Sequence, residues 1–282
     1  MISSASSSAA KAGLKGDGLG TALAYTISSI NKLPPEEKRQ IYSRLIPREI
    51  LERFQIKPAW LQDGNNRLLI LKSAPGNASV ELQLRHEPDF PDPVLYGHLV
   101  DTLTGKIHIL LYIVNDPTSP RFDVDKMPDG TSTRFGTMSR NLDAELAAMQ
   151  FGLAPGQVRK GLRLLGSAIK TFESFVESLG HDLYYAEPLY YHNAVLFERY
   201  GFAYQQGRRF MERIQRGMAE EGDLIAQLNN STPFRKPEAA DSIRLRSWAI
   251  HDNLLGEPFT NVTMYKRVGI DAGVNTCGEC NW

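Results

Sequence analysis

Alternation of polar and apolar residues marks the first elements of this chain. Ser79-Val80-Glu81-Leu82-Gln83-Leu84-Arg85 switches character at every residue, which predicts a strand with one face buried. Val94 to Val100 and Ile107 to Val114 read as two more strands, and Thr102-Leu103-Thr104-Gly105 between them reads as a hairpin connection. Ile107 to Val114 is almost continuously apolar, the pattern of a central strand covered on both faces. Asp182 to Ala186, Ala203 to Gly207 and Thr260 to Val268 complete the strand set.

Helical spacing occupies other stretches. Pro34 and Pro35 followed by Glu36 and Glu37 open a helix, with proline in the first turn and acids near the positive end of the dipole. A second helix after Pro47 carries Ile50, Leu51 and Phe54, and Thr21 to Ile30 is a weaker helical segment. Asn141 caps a short helix that begins with Asp143 and Glu145. Val158, Leu162, Leu165, Ile169, Phe172, Val176 and Leu179 form one long stripe ending at Gly180. Residues 208–228 are helical by the same criterion. Residues 116–140 are rich in Pro, Asp, Gly, Ser and Thr and read as a long loop.

Composition narrows the classes. The chain has 282 residues, 42% hydrophobic and 23% charged, within the range of globular proteins. Lys plus Arg equals Asp plus Glu at 32 each, so charge gives no reason to expect nucleic acid or an anionic membrane as partner. No apolar run reaches the ~20 residues that span a bilayer. The start lacks a signal-peptide pattern, and two cysteines cannot make a disulfide scaffold, so a cytoplasmic location is expected.

Leu196-Phe197-Glu198-Arg199-Tyr200-Gly201-Phe202 carries the functional lead. It resembles the C-terminal signature L-[YF]-E-[KR]-x-G-F of the GNAT superfamily of N-acetyltransferases. Arg163-Leu164-Leu165-Gly166-Ser167-Ala168 is similar to that family's other signature, [QR]-x-x-G-x-[GA]. The order of hairpin, signature, helix, strand and final motif matches as well, over roughly residues 78–207. The resemblance implies an α/β (α+β) fold with a mixed, mostly antiparallel sheet flanked by helices. It implies acetyl-CoA as co-substrate, a small-molecule or peptide amine as acceptor, and a diphosphate held by the N–H groups of Arg163 to Ala168 at a helix start.

Three features depart from the family pattern. Residues 115–162 separate the apolar strand from the signature, where the family runs almost directly from one to the other. Phe197 takes the place of the tyrosine that protonates the leaving thiolate in many members, and phenylalanine has no proton to give. Tyr200, Tyr191 or Tyr190 would then supply the acid, and Glu81 or Asp116 the base. Asn193 and Ala194 lie too close to Gly201 for the family's Asn–Ala pair. Two starts are open for the long helix. A start near Arg163 leaves free N–H groups for a diphosphate; a start near Gly156 buries the signature inside the helix.

Other chemistry is sparse. Cys277-Gly278-Glu279-Cys280 is a single C-x-x-C, half of a zinc site and placed unlike a redox motif. His98 and His108 flank one hairpin and would face each other in one register. The expected organisation is a disordered tail (1–20), a helical N-terminal segment (21–75), an acetyltransferase-like domain (76–270) with a helical insertion (208–258), and a flexible C-terminal tail (271–282). No dedicated metal site is expected, and a homodimer stays open. The competing reading is a non-catalytic relative that binds a small ligand, a metal or a partner protein.

Overall fold

Leu82 and its neighbours at i±2 turn one face of their strand inward, and the sheet is built outward from that face. The computed structural model describes residues 24–63, 67–134, 136 and 139–282. The predicted tail at 1–20 lies outside them. The described residues form seven strands: β1 (Leu69–Lys72), β2 (Ser79–Leu84), β3 (Leu95–Asp101), β4 (Ile107–Val114), β5 (Leu183–Ala186), β6 (Ala203–Gln206) and β7 (Thr263–Arg267). They make one sheet in the order β1-β2-β3-β4-β5-β7-β6. Every neighbouring pair is antiparallel except β4 with β5. The fold is thus a mixed, mostly antiparallel α/β sheet with helices packed against it.

Val80, Leu82, Leu84, Leu95, Leu99 and Ile107 point to the buried face. The N-terminal helices cover this part of it: α1 (Ile27–Ile30), α2 (Pro35–Tyr42), α3 (Arg48–Arg53) and α4 (Pro58–Gln62), with Ile27, Ile30 and Ile50 wholly buried. Asp101 at the end of β3 accepts from the N–H groups of Ile27 and Ser28, capping α1 from the sheet. Buried Asn31 donates to the carbonyls of Asn77 and Ser79 and accepts from Tyr42. The segment expected to be helical through residue 75 also contributes the edge strand β1. Leu69-Ile70-Leu71-Lys72 is too short an apolar run for periodicity to tell strand from helix.

The register pairs His98 with Leu111 and His108 with Val100, so the two histidines do not face each other. Ile109 pairs with Leu99 and Leu111 with His98, which leaves Leu110 as an extra residue, a β-bulge. Only Ile107 of β4 is fully buried; the other residues of this central strand are half-buried. The reason is the cleft described below.

The long helix begins later than its apolar stripe. It is α6 (Leu165–Ser178), preceded by α5 (Leu142–Gln150), which Asn141 caps by accepting from the Ala144 N–H. Gly156 has φ +76° and Arg163 φ +61°, backbone that no helix can include. Val158 and Leu162 are buried from irregular backbone, which imitates helical periodicity. Downstream come α7 (Tyr191–Arg199), α8 (Arg208–Gly217) and α9 (Ile243–His251). Regular helix stops at Gly217, short of the expected 228. Gly201 (φ +79°) lets the chain turn from α7 into β6, and a Cβ there would meet Asp271 at 2.9 Å.

The stretch between β4 and α6 and the stretch between β6 and β7 pack on each other. Val124, Ala148, Met149, Leu153, Val158, Phe234 and Trp248 form a second apolar cluster, and the Trp248 indole donates to the Leu153 carbonyl at 2.8 Å. The C-terminal segment, expected to be a flexible tail, is packed as well. Cys277 is fully buried, Cys280 nearly so, and Asn281 bridges to Ser242. Among the described residues no helix is long and apolar enough to cross a membrane.

Candidate functional site

β4 and β5 pair through only two positions, His108 with Tyr185 and Ile109 with Ala186. The Glu187 N–H donates to the Ile109 carbonyl at 3.1 Å, and beyond that bond the strands part. β5 ends at Ala186 and the chain turns at Pro188 and Leu189 into α7, while β4 runs on to Val114, paired only with β3. The edge of β4 after Ile109 therefore has no partner strand, and the bulge at Leu110 falls at the point of divergence.

The space so opened encloses about 200 Å³. Its walls are β4 from Ile109 to Asn115, the α6 side chains Leu165, Ala168, Ile169 and Phe172, the segment 155–159, and Tyr190, His192, Asn193, Leu196 and Phe197 of α7 and its approach. The lining is mainly apolar. Two phenols stand out in it. The Tyr112 hydroxyl is buried with no hydrogen-bond partner, and burial raises its pKa well above the ordinary value. Tyr190 stacks on His192 (ring centroids 5.7 Å apart) and meets His251 edge-on. Burial first, and the Glu145 charge second, raise its pKa too. Both phenols stay protonated at neutral pH. His192 is pushed down to about 3, by burial and then by His251, so it is a neutral ring that shares a hydrogen with Ser247 Oγ at 2.9 Å.

At one end of this space lies the start of α6. The first bond inside the helix runs from the Ala168 N–H to the Leu164 carbonyl, and the N–H groups of Leu165, Gly166 and Ser167 have no partner among the described residues. The Ser167 hydroxyl donates to Glu49 Oε1 at 2.6 Å. That bond holds the Glu49 carboxyl below its usual range, with smaller help from Arg48 and Lys170. Arg163 is exposed at the same turn. A Cβ on Gly166 would stand 3.3 Å from the ring of Tyr200, which is 38% exposed.

The sequence-derived candidates are thus dispersed. Leu165 and Ala168 line the cleft, with Gly166, Ser167, Leu164 and Arg163 around the same turn, as the later helix start requires. Tyr190 lines it too. Tyr200 stands over Gly166. Tyr191 is buried away from the cleft lining, its hydroxyl accepting from Arg246 at 3.0 Å. Glu81 lies on β2, ion-paired to Lys72 at 2.9 Å, a bond that lowers its pKa. Asp116 accepts from the Thr118 N–H and hydroxyl in a turn and meets Arg53 at 3.4 Å. Neither carboxylate lines the cleft. Tyr112 was hidden in the apolar strand pattern, and Glu187, exposed at the divergence point, stood out in the sequence only as a carboxylate between His181 and His192, where a metal site was possible. A tyrosine inside a run of Ile and Leu was the one available signal.

The insertion side, made by residues 115–164 inserted between β4 and α6 together with Asp92 and the end of α9, closes the cleft with charges. Asp92 accepts from Arg159 at 2.8 Å and from Arg121 at 3.2 Å, and Arg121 also holds Asp125. Buried Glu145 accepts from Arg140 (2.5 Å) and His251 (3.0 Å), and Arg140 reaches Asp252 at 2.8 Å. Tyr190 sits against Gly156, where a Cβ would overlap its ring. Among the described residues no group of three or more His, Cys, Asp or Glu side chains is gathered as for a metal ion.

No protein-family profile, no curated protein and no solved structure matches the chain.

Proposed function

We propose that the protein is an acyl-CoA-dependent N-acyltransferase that takes acetyl-CoA between β4 and β5 and acetylates an amine. The observation that carries this reading is the open first turn of α6 at the end of an apolar cleft made by two diverging parallel strands. Free N–H groups at a helix start favour an anion, and an apolar channel beside them suits a thin, weakly polar arm. The N–H groups of Leu165, Gly166 and Ser167 would hold the diphosphate, with Arg163 and Lys170 adding positive charge. The unpartnered edge of β4 beyond Ile109 would donate to the thioester carbonyl as negative charge develops on it. With Phe197 unable to donate, Tyr112 or Tyr190 would protonate the leaving thiolate, and their raised pKa values suit a group that must hold its proton until then. Glu187, an exposed carboxylate in the cleft lining at the point where the strands part, would take the amine proton.

One observation favours a second reading, a binder of a neutral ligand. Glu49 already places a carboxylate on Ser167, where the diphosphate would sit. A calorimetric titration with acetyl-CoA and with CoA separates the two. Saturable binding that weakens at least tenfold in Gly166→Gln and Arg163→Glu supports the acyltransferase. Folded protein that binds neither at millimolar concentration refutes it.

A further inference from the structure

Arg246 is 1% exposed, on α9, and no carboxylate lies within ion-pair distance of it among the described residues. Its Nε and Nη2 donate to the carbonyls of Ala239 and Ala240. Its Nη1 donates to Tyr191 Oη (3.0 Å), Gln215 Oε1 (2.8 Å) and Cys277 Sγ (3.1 Å). The neighbouring buried carboxylate, Glu198, spends its oxygens on Tyr204 and on the N–H and hydroxyl of Thr276. A guanidinium buried with neutral partners alone is costly. Cys277 is disulfide-bonded to Cys280, and a disulfide sulfur is a weak, neutral acceptor. Of the groups facing Arg246, the Tyr191 phenol has its pKa raised by burial and so keeps its proton, whereas Cys277 becomes an anion once the disulfide is reduced, as a thiolate.

We infer that Cys277 and Cys280 form a redox-active pair whose reduced state is a Cys277 thiolate held by Arg246. The reaction partner is a dithiol. Its thiolate attacks Sγ of Cys280, the less buried residue of the pair, and the Cys277–Cys280 bond breaks with its electron pair going to Cys277. The second thiol of the reductant then attacks the mixed disulfide, so that the reductant leaves oxidised and Cys280 leaves as a thiol. Arg246 stabilises the leaving group and the product alike. Other titratable groups around the pair are Tyr191, Glu198 and Arg199 on α7, with Arg199 donating to the Cys280 carbonyl, Glu279 in the turn, and His192 edge-on to Trp282. The site is independent of the acyltransferase reading. It touches it through Tyr191, in the first turn of the helix that lines the cleft.

The test is equilibration of the intact protein with reduced and oxidised dithiothreitol, followed by alkylation and mass spectrometry between about pH 5 and 7.5. Near-ultraviolet circular dichroism checks that the protein stays folded. Dithiothreitol keeps both protons in that range. Reduction to one thiolate and one thiol releases a proton, so the ratio of reduced to oxidised protein should rise about tenfold per pH unit at fixed reductant ratio. Folded Arg246→Met should lose that slope and lie further toward the disulfide. A pH-independent wild-type ratio, a pair that resists reduction until the protein unfolds, or an unchanged slope in folded Arg246→Met overturns the inference. The wild-type slope needs no variant, so a misfolded Arg246→Met leaves the test standing.

Discussion

The two sides of the cleft are held by different forces. The α6 side is apolar: Leu165, Ala168, Ile169 and Phe172 face β4, and their geometry follows from how a helix packs on a sheet. The insertion side is tied by charges, with Asp92 shared by Arg121 and Arg159 and Glu145 shared by Arg140 and His251. Burial tolerates imprecision, since a methyl group can slide. A buried ion pair does not, because breaking one partner leaves the other charge stranded. On the proposed reading the difference assigns roles: the α6 wall would receive the ligand, and the insertion wall would fix where Tyr190 and His192 stand.

That division can be broken from the insertion side first. Glu145→Ala should lower unfolding stability by about 3–5 kcal/mol in a urea titration, since Arg140 and His251 lose their buried acceptor. Leu165→Ala on the opposite wall, half-buried, should cost about 1 kcal/mol. Equal losses would erase the contrast. Tyr112→Phe removes a buried hydroxyl that has no partner, so the melting temperature should hold or rise. If that phenol is the acid, kcat should fall about a hundredfold in the same protein. Unchanged turnover would transfer the role to Tyr190.

Acid should loosen the insertion wall selectively. His192 is neutral when folded, with a pKa pushed down to about 3, against about 6.5 unfolded. Below about pH 6.5 the unfolded chain takes up a proton that the native state refuses. Stability should fall by up to about 1.4 kcal/mol per pH unit toward pH 3, and His192→Gln should flatten that part of the curve. Glu145 adds to the loss at lower pH. Burial favours its neutral form, but the hydrogen bonds from His251 and Arg140 outweigh burial and hold it below its usual range, so its contribution disappears as it protonates. Gly156→Ala comes next: it strains a φ of +76° and displaces the Tyr190 ring, at a cost of about 1–2 kcal/mol with weaker ligand binding. Glu49→Gln is the mildest change, removing the carboxylate beside Ser167. It should tighten CoA binding by about two- to fivefold and leave stability within error.

The strands were the legible part of the fold. Period-two alternation placed β2 to within a residue, the stretch Val94 to Val100 placed β3 as closely, the apolar run placed β4, and Gly201 placed the turn out of α7, because each rests on local rules. The start of α6 was not legible, since Val158 and Leu162 continue its stripe from non-helical backbone. The irregular backbone before Leu165, with Arg163 at φ +61°, separates the two cases, and an arginine carries no mark of that. β1 was lost to its brevity. The packing of Cys277 and Thr276 was not legible because their anchors, Arg246 and Glu198, are remote in sequence. Of the candidate site, the first turn of α6 and Tyr190 could be named in advance. That Lys72 engages Glu81 and a tight turn engages Asp116 was not visible in the sequence, and the Tyr112 hydroxyl gains meaning only once β4 and β5 are seen to part.

The most direct measurement compares acetyl-CoA with S-acetylpantetheine, which has the same arm and thioester but no phosphate, by calorimetry on wild type and Gly166→Gln. With the diphosphate at the start of α6 and the arm along β4, wild type should bind acetyl-CoA at least tenfold more tightly. Gly166→Gln should bind the two about equally. Equal affinities in wild type, or a preference that survives in Gly166→Gln, would contradict the account.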